Sequence, residues 1–198
     1  MPRERVVLIT GASKGLGRAA AELLSLRGCR VFGTSRHPQP DPSHGYEMLP
    51  LDVRSDESVQ ACVGEVLRRA GRIDVLVNNA GYGLVGLIEE TGVEQVREQF
   101  ETNFFGVVRM TQTVLPVMRG QLAGRIINIS SMAGIMGVPG EGYYCATKFA
   151  LEGFTETLYY EVEPFGIHAC LVEPGFFATD FSAFTFSLSN SRFCMNCS

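Results

Sequence analysis

The 198-residue chain is short of the features that mark membrane, secreted or nucleic-acid-binding proteins. No apolar run approaches the ~18 residues that a membrane span needs. The start, Met1-Pro2-Arg3-Glu4-Arg5, leads into only Val6-Val7-Leu8-Ile9, too short for the core of a secretory signal. A cytoplasmic location is the expectation. There is also no basic block: 17 Lys and Arg stand against 21 Asp and Glu, a net charge of −4, which argues against binding to a phosphate backbone. The six cysteines are scattered, so they are read as reduced thiols, mostly small buried apolar groups. Cys194-x-x-Cys197 lacks the second pair that a zinc site would need, and no metal is expected. Internal repeats and an interdomain linker are absent as well. What remains, 45% apolar and 19% charged, is the composition of one globular domain.

Two periodicities alternate along that domain. Short, nearly continuously apolar runs at Val6 to Thr10, Arg30 to Thr34, Tyr46 to Leu51, Ile73 to Val77, Arg125 to Ile129 and Ile167 to Val172 predict strands buried on both faces. Helical stretches lie between them. Gly17 to Arg27 ends at Gly28, a residue suited to the position just past a helix. Asp56 is placed to cap a helix whose Val59, Cys62, Val63 and Val66 share one face. A longer helix carries Val93, Val96, Phe100, Phe104, Val107, Thr111 and Leu115, and another runs from about Tyr144 to Glu163. Such alternation predicts βαβ units and an α/β, doubly wound parallel sheet, Rossmann-like, with its site at the carboxyl ends of the strands. His37-Pro38-Gln39-Pro40-Asp41-Pro42 reads as a surface loop in place of a short second helix.

Three clusters carry chemistry. Thr10-Gly11-Ala12-Ser13-Lys14-Gly15-Leu16-Gly17 joins the first strand to the first helix. Glycines there allow a tight turn and close approach to a pyrophosphate, and a helix start offers unpaired N–H groups and partial positive charge. The G-x-x-x-G-x-G spacing departs from the general G-x-G-x-x-G fingerprint. Asn78-Asn79-Ala80-Gly81 follows the fourth strand, where paired asparagines either pin neighbouring strands or meet a ligand. Asn128-Ile129-Ser130-Ser131 follows the fifth strand, and Tyr144-Cys145-Ala146-Thr147-Lys148 opens a helix with its tyrosine and lysine on one face. A phenol with a reference pKa near ~10 is a weak acid or base at neutral pH, and an adjacent ammonium favours its ionised form. The second strand ends Thr34-Ser35-Arg36 without the carboxylate that would bind a ribose 2′-hydroxyl; Arg36 and Lys14 instead suit a 2′-phosphate, which predicts NADP(H) over NAD(H).

Together these clusters resemble the short-chain dehydrogenases/reductases over about residues 5 to 180, through the glycine loop, Asp52-Val53, Asn78-Asn79-Ala80-Gly81, Asn103, Ser131, Tyr144, Lys148 and Pro174-Gly175. The offset of 13 positions between Ser131 and Tyr144 is the family's usual one and selects Ser131 over Ser130. The resemblance implies interconversion of a carbonyl and an alcohol by hydride transfer. In it Tyr144 moves the proton, Lys148 and the positive nicotinamide lower its pKa, and Ser131 holds the substrate oxygen. Lys148 also holds the nicotinamide ribose, and Asn103 positions a water in a proton relay. Gly11, Ser13, Lys14, Gly15, Leu16, Gly17, Arg36, Asp52, Val53, Asn79, Ala80, Gly81, Pro174, Gly175, Phe177 and Thr179 would line the cofactor. Asp52 is assigned to the adenine, Asn79 to the adenosine ribose, and Phe177 and Thr179 to the nicotinamide amide. A homo-oligomer through the long helices carrying Asn103 and Tyr144 is the expected assembly.

From Phe181 the pattern departs from the family's: residues 181–198 hold a single charge, Arg192, and neither a helical period nor a turn signal. Residues 1–180 are thus read as the NADP(H)-binding oxidoreductase domain and 181–198 as an atypical tail, with six strands and the family's seventh missing. The alternatives are a cofactor-binding pseudoenzyme or an inactive truncated fragment.

Overall fold

A computed structural model gives the fold and describes residues 4–39 and 45–175. Strands β1 (Val6–Ile9), β2 (Arg30–Ser35), β3 (Glu47–Pro50), β4 (Val75–Asn78), β5 (Gly124–Ile129) and β6 (Ile167–Val172) form one parallel sheet in the order β3-β2-β1-β4-β5-β6. Helices α1 (Gly15–Leu26), α2 (Asp56–Ala70), α3 (Val93–Phe100), α4 (Gly106–Gln121) and α5 (Gly142–Val162) connect them. One face packs Val7, Ile9, Val31 and Val77 against Ala21 and Leu24 of α1. The other packs Leu8, Phe32, Leu76 and Ile126 against α2, α4 and α5 through Val63, Met110, Val114 and Leu158. The doubly wound sheet is thus as expected, and its strand order turns back between β1 and β4, where such sheets open a ligand crevice.

Three local expectations need correction. Only β1, β2 and β4 are buried along nearly their whole length; in β5 Ile126 and Asn128 are buried while Arg125 is exposed, and in β6 Ile167 and Ala169 are buried while His168 and Cys170 are exposed. Position accounts for β6, which is an edge of the sheet among the described residues, as is β3. The cap of α2 is Ser55, whose Oγ accepts from the Ser58 N–H at 3.2 Å, and Asp56 is instead the first helical residue, where its charge complements the helix dipole. Its apolar face, Val59, Cys62, Val63 and Val66, is buried as read. The long helix is not uniform either. Between α3 and α4 the chain makes a π turn, Glu101–Phe105, closed by the Gly106 N–H on the Glu101 carbonyl. Of the described cysteines, Cys62 and Cys145 are buried, Cys29 is half-buried and Cys170 is exposed, all as free thiols. Residues 40–42 of the expected surface loop, and Phe177, Thr179 and the 181–198 tail, lie outside the described residues.

Buried amides tie the middle of the sheet to both long helices. Asn78 and Asn128 are register partners across β4 and β5, and Asn78 Nδ2 donates to Asn128 Oδ1 at 2.8 Å. Asn128 Nδ2 donates to Thr155 Oγ1 of α5 at 2.8 Å, and Asn78 Nδ2 also reaches Thr111 Oγ1 of α4 at 3.4 Å. Amides buried this deeply are costly unless bonded, so the network fixes one registration of β4, β5, α4 and α5. Asn128→Ala removes both bonds of that side chain and leaves the Asn78 amide group short of a partner. We expect a loss of about 2 kcal/mol, at the scale of an orphaned buried polar group, read as a lower midpoint in urea unfolding.

Candidate active site

The site is assembled at the carboxyl ends of β1, β2, β4 and β5. The glycine loop leaves β1 and is held from two sides. The Ala12 N–H donates to the Thr34 carbonyl at 2.8 Å, and Asn79 Nδ2 donates to the carbonyls of Thr10 and Gly11 at 2.9 and 3.0 Å. Thr10 Oγ1 returns the tie, accepting from the Asn79 and Ala80 N–H groups, each at 2.9 Å. Gly11 must be glycine twice over: its φ is +69°, and an added Cβ would lie 2.9 Å from the Ala80 Cα. Beyond the loop, α1 begins at Gly15 with no side-chain cap, so its first N–H groups are not bonded by its N-cap side chain, Lys14. Ser13, Lys14, Gly15 and Leu16 are exposed there, and Gly17 packs against Asn79 and Gly11.

At the neighbouring strand ends, Arg36 is exposed beyond β2, and the hydroxyls of Thr34 and Ser35 are buried without a hydrogen-bond partner. Asp52, past β3, is paired with Arg54 at 2.8 Å, and that hydrogen bond holds its carboxyl below the usual carboxylate range. Arg36 adds a smaller pull in the same direction, so Asp52, Arg54 and Arg36 share one edge of the crevice. Val53 is a core residue packed on Gly106, which leaves its backbone rather than its side chain for a ligand. Gly81 lies against Asn103. The Met132 N–H donates to the Pro174 carbonyl at 3.2 Å, which brings the Pro174-Gly175 turn beside the β5 end.

Across the crevice, Ser131, Tyr144 and Lys148 come together. Ser131 Oγ accepts from the Ala133 N–H at 3.2 Å, and its hydroxyl favours the ionised form of the nearby Tyr144 phenol. Lys148 lies one turn after Tyr144 on α5, its Nζ 5.7 Å from the phenol ring centroid and donating to the Ile129 carbonyl at 2.7 Å. Both side chains are 6% exposed. Asn103 is buried in the π turn: its Oδ1 accepts from the Tyr82 N–H at 3.0 Å, and its Nδ2 donates to the Tyr82 carbonyl at 2.9 Å and to Thr147 Oγ1 at 3.3 Å. The extra residue of the π turn thus aims Asn103 at the loop after β4 and at α5, as such turns often do near functional sites.

The expected lowering of the phenol's pKa is not the balance in this structure. Burial pushes Tyr144 up to about 12, and the Ser131 hydrogen bond opposes it only in part. Lys148 is buried as well: desolvation brings its pKa down to about 8, while Glu152 acts the other way.

Sequence reasoning overlooked four side chains here. Thr10 is the hinge pin of the glycine loop, and Ser35 carries an unpartnered hydroxyl beside Arg36. Ser130 and Glu152 are bonded to each other behind Lys148. The spacing of Glu152, four after Lys148 on α5, was the one available signal.

The short chain dehydrogenase family model matches residues 5–188. The chain belongs to the short-chain dehydrogenase family. It is 49% identical to a 3-ketodihydrosphingosine reductase of Bacteroides thetaiotaomicron over 90% of this chain and 66% of that one. It is 40% identical to human 17-beta-hydroxysteroid dehydrogenase type 1 over 86% and 56%. Solved structures of the same fold include ElxO with NADP bound, at TM-score 0.86, 32% identity and coverage of 90% and 76%. An NAD+-bound xylitol dehydrogenase matches at TM-score 0.82 and 29% identity, covering 86% and 70%. The chain spans 56% to 69% of the length of the curated relatives compared with it. No helix among the described residues is long and apolar enough to cross a membrane.

A buried lysine leaves a thermodynamic mark. With its folded pKa near 8 and an ordinary value of 10.5, Lys148 binds fewer protons folded than unfolded between those limits, so its contribution to stability rises with pH. The penalty is full below pH 8 and fades towards pH 10.5. We expect unfolding free energy to gain about 2 kcal/mol from this group between pH 8 and 10. Urea titrations of the protein and of Lys148→Met across that range should differ by this slope; parallel curves would contradict it.

Proposed function

We propose that the chain is an NADP(H)-dependent oxidoreductase that interconverts a carbonyl and an alcohol. The observation that carries the reading is the grouping of three side chains: Ser131 acts on the Tyr144 phenol, and Lys148 lies one turn further along α5 with its Nζ 5.7 Å from the ring centroid. In this mechanism the Ser131 hydroxyl and the Tyr144 phenol bind the same substrate oxygen, which orients the carbon. Tyr144 gives its proton to that oxygen in reduction and takes it back in oxidation. The Lys148 ammonium favours the ionised phenol and is placed to hold a ribose hydroxyl. Asn103, fixed by Tyr82 and Thr147, keeps the π turn in the shape that positions a relay water. A nicotinamide cofactor would supply the hydride and, in its oxidised form, a positive charge.

The residues present fit such a cofactor. The uncapped start of α1 and the glycine loop suit its pyrophosphate, and the orphaned Ser35 hydroxyl with Arg36 and Lys14 suits a 2′-phosphate. Asp52 would reach the adenine and Asn79 the adenosine ribose, with Ala80, Gly81, Pro174 and Gly175 along the remaining edge; Phe177 and Thr179 keep their sequence-based assignment at the amide. Exposed Met132, Ile135 and Met136 directly follow Ser131, and exposed Ile88 touches the first turn of α5. This apolar rim favours a substrate whose reacting oxygen sits on a hydrocarbon body. The names of the sphingosine-base reductase and the hydroxysteroid dehydrogenase point the same way. The half-exposed Phe105 and Phe149, on the π turn and α5, support association of two copies through the long helices.

Tyr144→Phe tests the proton step, since it keeps the ring and removes the hydroxyl. Turnover of NADPH with apolar ketones should fall at least ~10²-fold while NADPH still quenches or shifts fluorescence on binding. Near-normal turnover would refute the assignment, and binding without turnover in the unmodified chain would favour a cofactor-binding module instead. Arg36→Ala tests cofactor choice. We expect NADPH affinity to fall about tenfold, the loss of a charge-assisted phosphate contact of ~1.5 kcal/mol, with NADH affinity little changed in calorimetric titration.

A further inference from the structure

Behind Lys148 lies a polar pair that the proposed reaction does not use. Glu152 sits one helical turn after Lys148 on α5, and Ser130 Oγ donates to Glu152 Oε1. Lys148 donates to the carbonyl of Ile129, the residue immediately before Ser130. The end of β5 therefore meets the ammonium at the Ile129 carbonyl and the carboxylate at the side chain of the next residue. Space for the pair is made by Gly134: a Cβ there would lie 2.6 Å from Ser130 Oγ and 2.8 Å from Glu152 Oε1. Ser130 is buried, and Glu152 is half-buried on the flank away from the crevice, where it borders a groove of about 300 Å³ between α5 and β6 with Thr155, Tyr159 and Cys170.

We propose that Glu152, anchored by Ser130, is a positioning residue that keeps Lys148 charged and directed at the end of β5. The inference rests on the reading of Lys148 as the partner of Tyr144. The need for such a residue is physical. An ammonium with almost no exposure tends to lose its proton, and a fixed carboxylate one turn away opposes that tendency. The direction agrees with the raising effect of Glu152 on Lys148. Glu152 is the described carboxylate that acts on this amine. On α5, Tyr144 faces the amine from the other side, and the carboxylate acting on that phenol is Glu141. β5 offers only the Ile129 carbonyl and the Ser130 hydroxyl. On the π turn, Glu101 is turned to Arg109 at 2.5 Å and Asn103 is neutral. A carboxylate hydrogen-bonded by serine is held in one rotamer, so its charge acts at a fixed place rather than averaging over solvent.

The test reads the lysine itself. The Lys148 amine is titrated by ¹⁵N-detected NMR in the full chain without substrate, with Lys148→Met supplying the assignment. Glu152→Gln keeps the shape and the Ser130 contact but removes the charge, and its midpoint should fall by about one unit. Ser130→Ala frees the carboxylate and should give a smaller fall in the same direction, and Glu152→Asp should recover part of the midpoint. Thermal melts establish that each variant is folded. In turnover, Glu152→Gln should move the pH profile of kcat while leaving KM for NADPH nearly unchanged. An unchanged Lys148 midpoint in folded Glu152→Gln overturns the proposal, whatever the turnover. Full activity of Lys148→Met would instead overturn the role of Lys148 in the reaction and leaves the midpoint result to judge the pair.

Discussion

The constraint on which the site depends is the fixed registration of β4 against β5. Asn78 and Asn128 are opposite one another, and their amide bond is buried where an unmatched polar atom is costly. Slipping either strand by a residue would separate the amides and turn their neighbours to the wrong face. Because Asn128 also bonds Thr155, the same network sets the height of α5 along the sheet. That height brings Lys148 to the Ile129 carbonyl and Tyr144 to Ser131. The polar core behind these side chains therefore sets their placement along the strands and α5.

A second consequence follows from burial. Placing Lys148 and Tyr144 at 6% exposure works against the charged form of each. The free site holds the phenol protonated and the amine near its switching point, which is a poor arrangement for proton transfer in isolation. In the proposed reaction, a substrate oxygen shared by Ser131 and Tyr144 and the positive charge of an oxidised cofactor would both offset that burial. The glycine loop follows the same logic, since Asn79 and Thr10 preorganise its backbone before any anion arrives.

Much of this was legible in the chain. The β-branched runs and helical stripes predicted the sheet, because burial on two faces and on one face leave different periods. The three polar clusters predicted which strand ends would meet. Other parts had no local signal. The π turn at Glu101–Phe105 keeps a helical pattern of apolar residues, so nothing in the spacing separates it from the helices on either side. Ser55 and Asp56 are both good caps by type, and only the backbone shows which one is used. The alternation in β6 depends on which neighbours flank it. The direction of the Tyr144 shift depends on how deeply the phenol itself is buried, which no spacing of four can tell.

The central claim is that Tyr144 is the proton-transfer group and that its ionisation is tuned by what binds beside it. Ultraviolet difference spectroscopy reads it directly, as the tyrosinate band near 295 nm that appears when NADP+ is added at about pH 9, compared with the same addition to Tyr144→Phe. The account predicts a band equivalent to one tyrosinate in the unmodified protein and none in the variant. Equal spectra for the two, with NADP+ shown to be bound, would contradict it.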